Sequence, residues 1–229
     1  MRGQVCEVRE EQVYAFARFA VQTFGKIDVW INNAGYSSAA GLMLEAPLGQ
    51  AIDMFLANDV GTLHSSQAAL HFMIPRKTGT LVNICGNGSS LRPAFPTGLY
   101  GATKAWITSF TRSLAKQISG NGIELIGFSP GMMLTDMLRN PTVIGERGKE
   151  VMKRYAFVLR WLGDDPNHAA QKLVETIANN EKNFTEVRIL RPSTILLRLL
   201  RVKWQDLTKS GKTPPYTLHF TDPYKPKID

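Results

Sequence analysis

No apolar run in this chain approaches the roughly 20 residues that a membrane-spanning helix needs. Its opening residues, Met1-Arg2-Gly3-Gln4-Val5-Cys6-Glu7, carry charge where a secretory leader has an apolar core. Both absences lead to the expectation of a soluble protein, cytoplasmic by default. Cysteine is scarce: Cys6 and Cys85 stand far apart, at no spacing that suits a metal knuckle or a redox pair, so both are expected to be buried reduced thiols. Histidine is scarce too, and His64, His71, His168 and His219 show no metal-ligand spacing, so no metal site is expected. Acidic side chains are outnumbered, 19 against 27 lysines and arginines, for a formal charge of +8. That excess alone would suit nucleic acid, but no recognised binding motif accompanies it and much of it falls in the last third, so no nucleic-acid partner is expected.

What is present is an alternation of strand and helix patterns. A strand-like run at 5–8 precedes residues 10–24, where Val13, Phe16, Ala17, Ala20, Val21 and Phe24 recur at helical spacing. Gly25 ends that helix, and the apolar run 27–31 enters the turn Asn32-Asn33-Ala34-Gly35 as a buried strand. Further along come a long helix over 48–73, a strand at 79–85, a helix over 99–118 and a strand at 123–128. A helix near 167–178 and a strand at 186–190 follow, and the tail from Lys209 is rich in Pro, Lys and Thr. Alternation with short connections predicts an α/β fold, a parallel sheet covered on both faces by helices, with a ligand crevice at the carboxyl ends of its strands.

Within the 99–118 helix, Tyr100-Gly101-Ala102-Thr103-Lys104 puts a phenol and an ammonium four residues apart, on one helical face. A phenol with a pKa of about 10 is a poor proton shuttle at neutral pH, and a neighbouring cation favours its ionised form. Such a pair can protonate an alkoxide as it develops. Taken alone, the same spacing also describes an incidental surface pair, so the surrounding motifs matter.

Those motifs are Ile31-Asn32-Asn33-Ala34-Gly35 after a strand, Asn58-Asp59-Val60-Gly61 in the long helix, Tyr100 to Lys104, and Ser129-Pro130-Gly131 running to Thr135-Asp136. In this order they resemble the short-chain dehydrogenase/reductase family over about residues 5–190. The resemblance implies a doubly wound, Rossmann-like domain over 1–190 and an NADP cofactor, with NAD as the alternative, followed by a basic amphipathic helix and tail over 191–229. It further implies that Tyr100 is the acid/base, that Lys104 lowers its pKa and bonds the nicotinamide ribose, and that Asn58 extends the proton relay through water. Asn33, Ala34 and Gly35 would line the adenine side, and Pro130, Gly131 and Thr135 would cradle the nicotinamide. For Asn58 the alternative is a helix-kink residue that satisfies backbone groups. Family helices at 48–73 and 99–118 form dimers, so a homo-oligomer is implied as well.

One stretch departs from the family pattern. Most members carry a serine shortly after a Val-Asn-Ile strand, whereas Val82-Asn83-Ile84 here continues into Cys85-Gly86-Asn87-Gly88-Ser89-Ser90, and Gly86 or Asn87 falls at the serine position. Ser89 is the candidate donor, because a loop with two glycines can bring its hydroxyl back into the site. The alternative is that Ser89 bonds only the loop backbone. This loop, with 129–138 and Arg191-Pro192-Ser193-Thr194-Ile195-Leu196-Leu197, looks like the chlorophyll b reductase branch, which reduces a formyl group with NADPH; Cys85 stands where that branch usually has an aspartate. The substrate implied is a small hydrophobic carbonyl or alcohol, and a pigment substrate would place the protein at the thylakoid.

Residues 194–204 interleave Ile195, Leu196, Leu197, Leu199, Leu200 and Val202 with Arg198, Arg201 and Lys203. That pattern suits peripheral contact with a membrane surface, or a lid or interface helix. The family's first two strands and its glycine-rich phosphate turn find no counterpart here, and 5–8 corresponds to the third strand. The expectation is therefore an incomplete cofactor-binding domain, N-terminally truncated. Three functions remain open on this sequence: a nicotinamide-dependent oxidoreductase, a catalytically silent scaffold or regulatory partner, or a peripheral membrane-binding module using residues 194–204.

Overall fold

A computed structural model describes residues 10–37 and 39–225; the strand expected at 5–8, and Cys6 with it, lie outside the described residues. Helix α1 (Glu10–Phe24) buries Val13 and Ala17, and the amide of Gly25 caps its end by donating to the Val21 carbonyl at 2.8 Å. Strand β1 (Val29–Asn32) begins later than the apolar run suggests, because Ile27 is used as a core residue under α1. The long helical run is α2 (Leu48–Phe55), one wide π turn over Leu56–Val60, and α3 (Gly61–Met73). A π turn inserts a residue into the helical ladder and is frequent at functional sites. Next come β2 (Gly79–Ile84), α4 (Gly98–Gln117) and β3 (Ile123–Ser129), close to the expected bounds.

Residues 132–164 hold elements too short for periodicity to reveal. They are β4 (Met132–Met133), α5 (Asp136–Arg139), β5 (Thr142–Ile144), α6 (Gly145–Met152), α7 (Tyr155–Leu162) and β6 (Gly163–Asp164). Helix α8 (Pro166–Ala178) is started by Asp165, whose carboxylate accepts from the Asn167 amide, with Pro166 at the first helical position. Strand β7 (Phe184–Arg188), helix α9 (Pro192–Leu207) and β8 (His219–Thr221) complete the chain. The Pro-rich tail is thus not simply coil: β8 pairs in parallel with β5, Val143 opposite Phe220.

The main sheet has the order β1-β2-β3-β7 with every pair parallel. This is the doubly wound α/β fold expected. Its strands alternate between two apolar faces: Leu81 and Leu125 pack with Val13, Ala17 and Met73 on one side, while Val82, Ile126 and Phe128 pack with Leu173 of α8 on the other. A third cluster, Val143, Met152, Tyr155 and Leu159 with Tyr216 and Leu218, joins the 132–164 region to the tail. All four strands run the same way, so the turns after β1, β2 and β3 gather along one rim.

Candidate active site

Tyr100 lies in the first turn of α4 and Lys104 one turn further on, beside the loop that leaves β2. Lys104 is buried, donates from Nζ to the Ile84 carbonyl at 3.0 Å and stands 5.5 Å from the Tyr100 ring centroid. The strand end and the helix are thus tied together by the ammonium. The expected lowering of the Tyr100 pKa is not found: loss of water around the phenol pushes it up to about 12. The physical reason is that burial outweighs the distant charge, since the ammonium engages Ile84 rather than the phenol. Burial also draws Lys104 down, opposed by Cys85 and Asp59, and pushes the buried Cys85 thiol up.

The β2–α4 loop shows how the serine departure is accommodated. A Cβ placed on Gly86 would lie 3.4 Å from Tyr100 Oη and 3.2 Å from Lys104 Cγ, so position 86 faces the pair directly and brings no hydroxyl to it. Ser89 does turn back towards this point, and its hydroxyl oxygen accepts from the Gly86 amide at 2.9 Å. Ser89 is therefore beside the site and bonded to the loop backbone. The turn depends on Gly88, at φ +102, where a Cβ would sit 2.0 Å from the Gly101 carbonyl oxygen. Only a glycine allows this loop to lie so closely on the first turn of α4.

Asn58, in the π turn, is fully buried. Its Oδ1 accepts from the Tyr36 amide at 3.0 Å, and its Nδ2 donates to the Tyr36 carbonyl at 3.0 Å and to Thr103 Oγ1 at 3.1 Å. The side chain clamps the β1 turn to α4, as the backbone-satisfying alternative describes. Gly35 permits this, because a Cβ there would approach Asn58 Oδ1 to 2.7 Å. Asn33, Ala34 and Gly35 are exposed along this turn, and Asn33 and Ala34 border an open groove between α1, β1 and α3. On the far side, Pro130 is buried and Gly131 takes φ +85 against Leu190. Thr135 is exposed ahead of α5, its hydroxyl 3.4 Å from the Met133 carbonyl. The rim thus gathers the β1 turn, Tyr100 with Lys104, and the Pro130–Gly131 turn.

Two features escaped the sequence reading. The first is a buried polar network: Asn32 Nδ2 donates to Asn83 Oδ1 at 2.8 Å and Ser66 Oγ at 2.9 Å, Asn32 Oδ1 accepts from Trp30 Nε1, and Asn83 Nδ2 donates to Thr111 Oγ1. Ser66 and Thr62 carry it on to the Asn58 carbonyl. Polar residues within otherwise apolar strands were its signal. The second is Asp59, 4% exposed, with neither carboxylate oxygen hydrogen-bonded among the described residues. Burial pushes its pKa up to about 7 and the Lys104 charge opposes that.

Comparison with known proteins places this geometry. A family model described as short chain dehydrogenase matches residues 2–142. An uncharacterized oxidoreductase of Staphylococcus epidermidis is 32% identical over 148 residues, covering 65% of this chain and 63% of that protein. A probable chloroplastic chlorophyll(ide) b reductase of Arabidopsis thaliana is 28% identical over 211 residues, covering 89% and 41%. A chloroplastic chlorophyll(ide) b reductase of Oryza sativa subsp. japonica is 30% identical over 198 residues, covering 82% and 55%. The chain therefore spans less than two thirds of the length of each of these relatives. Among solved structures, ElxO with NADP bound superposes with a TM-score of 0.64 at 25% identity, covering 81% of this chain and 75% of that one. A Streptomyces avermitilis short-chain dehydrogenase gives 0.67 at 21% identity, covering 90% and 78%, and supports the fold alone.

Proposed function

The chain belongs to the short chain dehydrogenase family, and from that premise we propose that it reduces a carbonyl group with a nicotinamide dinucleotide, Tyr100 donating the proton. The observation that carries this reading is the placement of the Tyr100 hydroxyl against Gly86 on the rim, with Lys104 one turn behind it. NADP is the cofactor this reading favours, supported by the NADP bound in the ElxO structure. The residues present fit its nicotinamide half: Gly131, at φ +85 and packed on Leu190, turns the chain after β3, and Thr135 offers an exposed hydroxyl further along that turn. Pro130, Gly131 and Thr135 would hold the ring, Lys104 the ribose, and Asn33, Ala34 and Gly35 the adenine side. When bound, the nicotinamide supplies the hydride.

The phenol of Tyr100, pushed up to about 12, is protonated at neutral pH. It can donate in the reductive direction because the alkoxide that develops on the substrate is a stronger base than the phenolate. As hydride reaches the carbonyl carbon, the carbonyl oxygen takes the Tyr100 proton and becomes a hydroxyl. The substrate we propose is the formyl group of chlorophyll b or a related hydrophobic carbonyl, supported by the names of the plant relatives. On that reading the protein works beside the thylakoid; among the described residues no helix is long and apolar enough to cross a membrane. A homo-oligomer, a small hydrophobic substrate and no nucleic-acid partner belong to the same proposal.

Fluorescence titration with NADPH, combined with turnover of chlorophyll b, tests it. NADPH should bind both the parent chain and Tyr100→Phe, with turnover falling about 10³-fold in the variant. Retained turnover in Tyr100→Phe, or a parent chain that neither binds NADPH nor turns over, overturns the reading. The second outcome would favour a catalytically silent binding partner. One observation favours that alternative: position 86 brings no hydroxyl to Tyr100, and Ser89 is engaged by the Gly86 amide.

A further inference from the structure

Helix α9 is held to the body along one side. Val202 is 2% exposed, Trp161 Nε1 donates to the Ile195 carbonyl at 3.0 Å, and Arg198 donates to the Leu162 carbonyl at 3.1 Å and pairs with the Asp164 carboxylate. Arg160 pairs with Asp206 at 2.7 Å. These ties leave the orientation of the helix well determined, so its outer side is a property of the fold.

That outer side is apolar. Leu196, Leu197, Leu200, Trp204 and Leu207 are exposed by 56, 66, 55, 63 and 84%. At 3.6 residues per turn they fall within an arc of about 100°, with Arg201 and Lys203 on its two flanks and Ile195, Arg198, Val202 and Asp206 facing away. Arg191 before the helix and Lys209 after it are exposed as well. The one carboxylate of the helix, Asp206, is already paired with Arg160. An exposed apolar stripe with cations along both flanks matches a surface that is apolar below and anionic at its boundary. It matches a second copy of the chain poorly, because a twofold contact through the stripe would bring like charges at Arg201 and Lys203 together.

We propose that α9 docks on an anionic lipid bilayer, with Leu196, Leu197, Leu200, Trp204 and Leu207 below the headgroups and Arg201 and Lys203 among the lipid phosphates. The bilayer meets the cations with phosphate, and the chain's formal charge of +8 adds to the attraction. Docking here does not depend on the catalytic reading and is tested without turnover.

The experiment is co-sedimentation of the full chain with vesicles of phosphatidylcholine alone and of phosphatidylcholine mixed with phosphatidylglycerol, at low and high salt. Binding should be at least about tenfold stronger to the anionic vesicles, should weaken with salt, and should shift the tryptophan emission to the blue. The double variant R201Q/K203Q should bind about 20-fold more weakly. L197S/W204S should also lose binding, with the urea midpoint of both variants unchanged because every replaced side chain is exposed. Equal binding to neutral vesicles, no binding to anionic ones, or binding retained by both variants overturns the proposal. So does a concentration-dependent dimer abolished by L197S/W204S, which would assign the stripe to a second copy.

Discussion

Gly86 faces Tyr100 so closely that a single added carbon at position 86 would lie 3.4 Å from the phenolic oxygen. A hydroxyl on that carbon would point into the space where the Tyr100 proton leaves. Gly86→Ser should therefore raise turnover of a carbonyl substrate about tenfold or more, since one well-placed donor to a developing oxyanion is worth about 10²–10³ in rate. The neighbouring Lys104 Cγ, 3.2 Å from the added carbon, belongs to a flexible side chain that can give way. Gly86→Ala supplies the carbon without the hydroxyl and should bring no gain. Steady-state kinetics of the three proteins decides this, and equal rates for Gly86→Ala and Gly86→Ser would sink the idea.

Gly88→Ala should destabilise the fold by about 3 kcal/mol, because it combines a positive φ with overpacking. The obstacle is the backbone carbonyl of Gly101, which cannot swing aside without moving the first turn of α4. Urea unfolding measures the loss. A midpoint within error of the parent would mean that the loop is not seated on α4 as described.

Asp59 makes stability depend on pH in an uncommon direction. Its folded pKa of about 7 lies above the ordinary 3.8, so the folded chain holds the proton more tightly than the unfolded one. Its contribution is full below about pH 4 and is lost as pH rises through 7. The size of the loss is at most about 4 kcal/mol. Asp59→Asn should remove it, leaving the variant more stable than the parent at pH 8 and closer to it at pH 5. Urea midpoints at the two values test the sign, and an Asp59→Asn protein that is equally destabilised at both would refute it.

Asn32→Leu should cost about 2 kcal/mol, because it strands the fully buried Asn83 Oδ1 and removes the partner of the half-buried Trp30 Nε1. Asn32 is 9% exposed and serves both partners at 2.8 Å. Thermal unfolding of Asn32→Leu beside Asn83→Leu and the double variant would show coupling. Strictly additive losses would mean that the two asparagines act independently.

The elements that positioned the site were legible because each is long enough to show its period. Helix α1 occupies the residues expected, α4 differs from expectation by one residue at each end, and β3 runs one residue further. The 132–164 region was not legible, because strands of two or three residues and helices of four to eight carry too few repeats to distinguish from loop. Strand β8 was hidden for a different reason. Its pairing with β5, some 75 residues earlier, is a long-range contact that composition cannot announce. Within the site, residue types were readable and their partners were not. Ser89 was named from the loop's two glycines, but whether its hydroxyl met Gly86 or open space depended on how Gly88 seats against Gly101.

The sequence by itself determined the α/β class, the family, and the residues from which an active site could be built, because periodicity and motif order are properties of neighbouring positions. Only the tertiary structure decided how those residues behave together. Lys104 reaches the Ile84 carbonyl, Asn58 is spent on Tyr36 and Thr103, and Asp59 is enclosed with no hydrogen-bond partner among the described residues. It also decided that Gly86 stands directly opposite Tyr100. Burial is the physical reason: the Tyr100 phenol loses water before it gains a counter-charge, so its pKa rises where the spacing of Tyr100 and Lys104 alone had argued that it would fall.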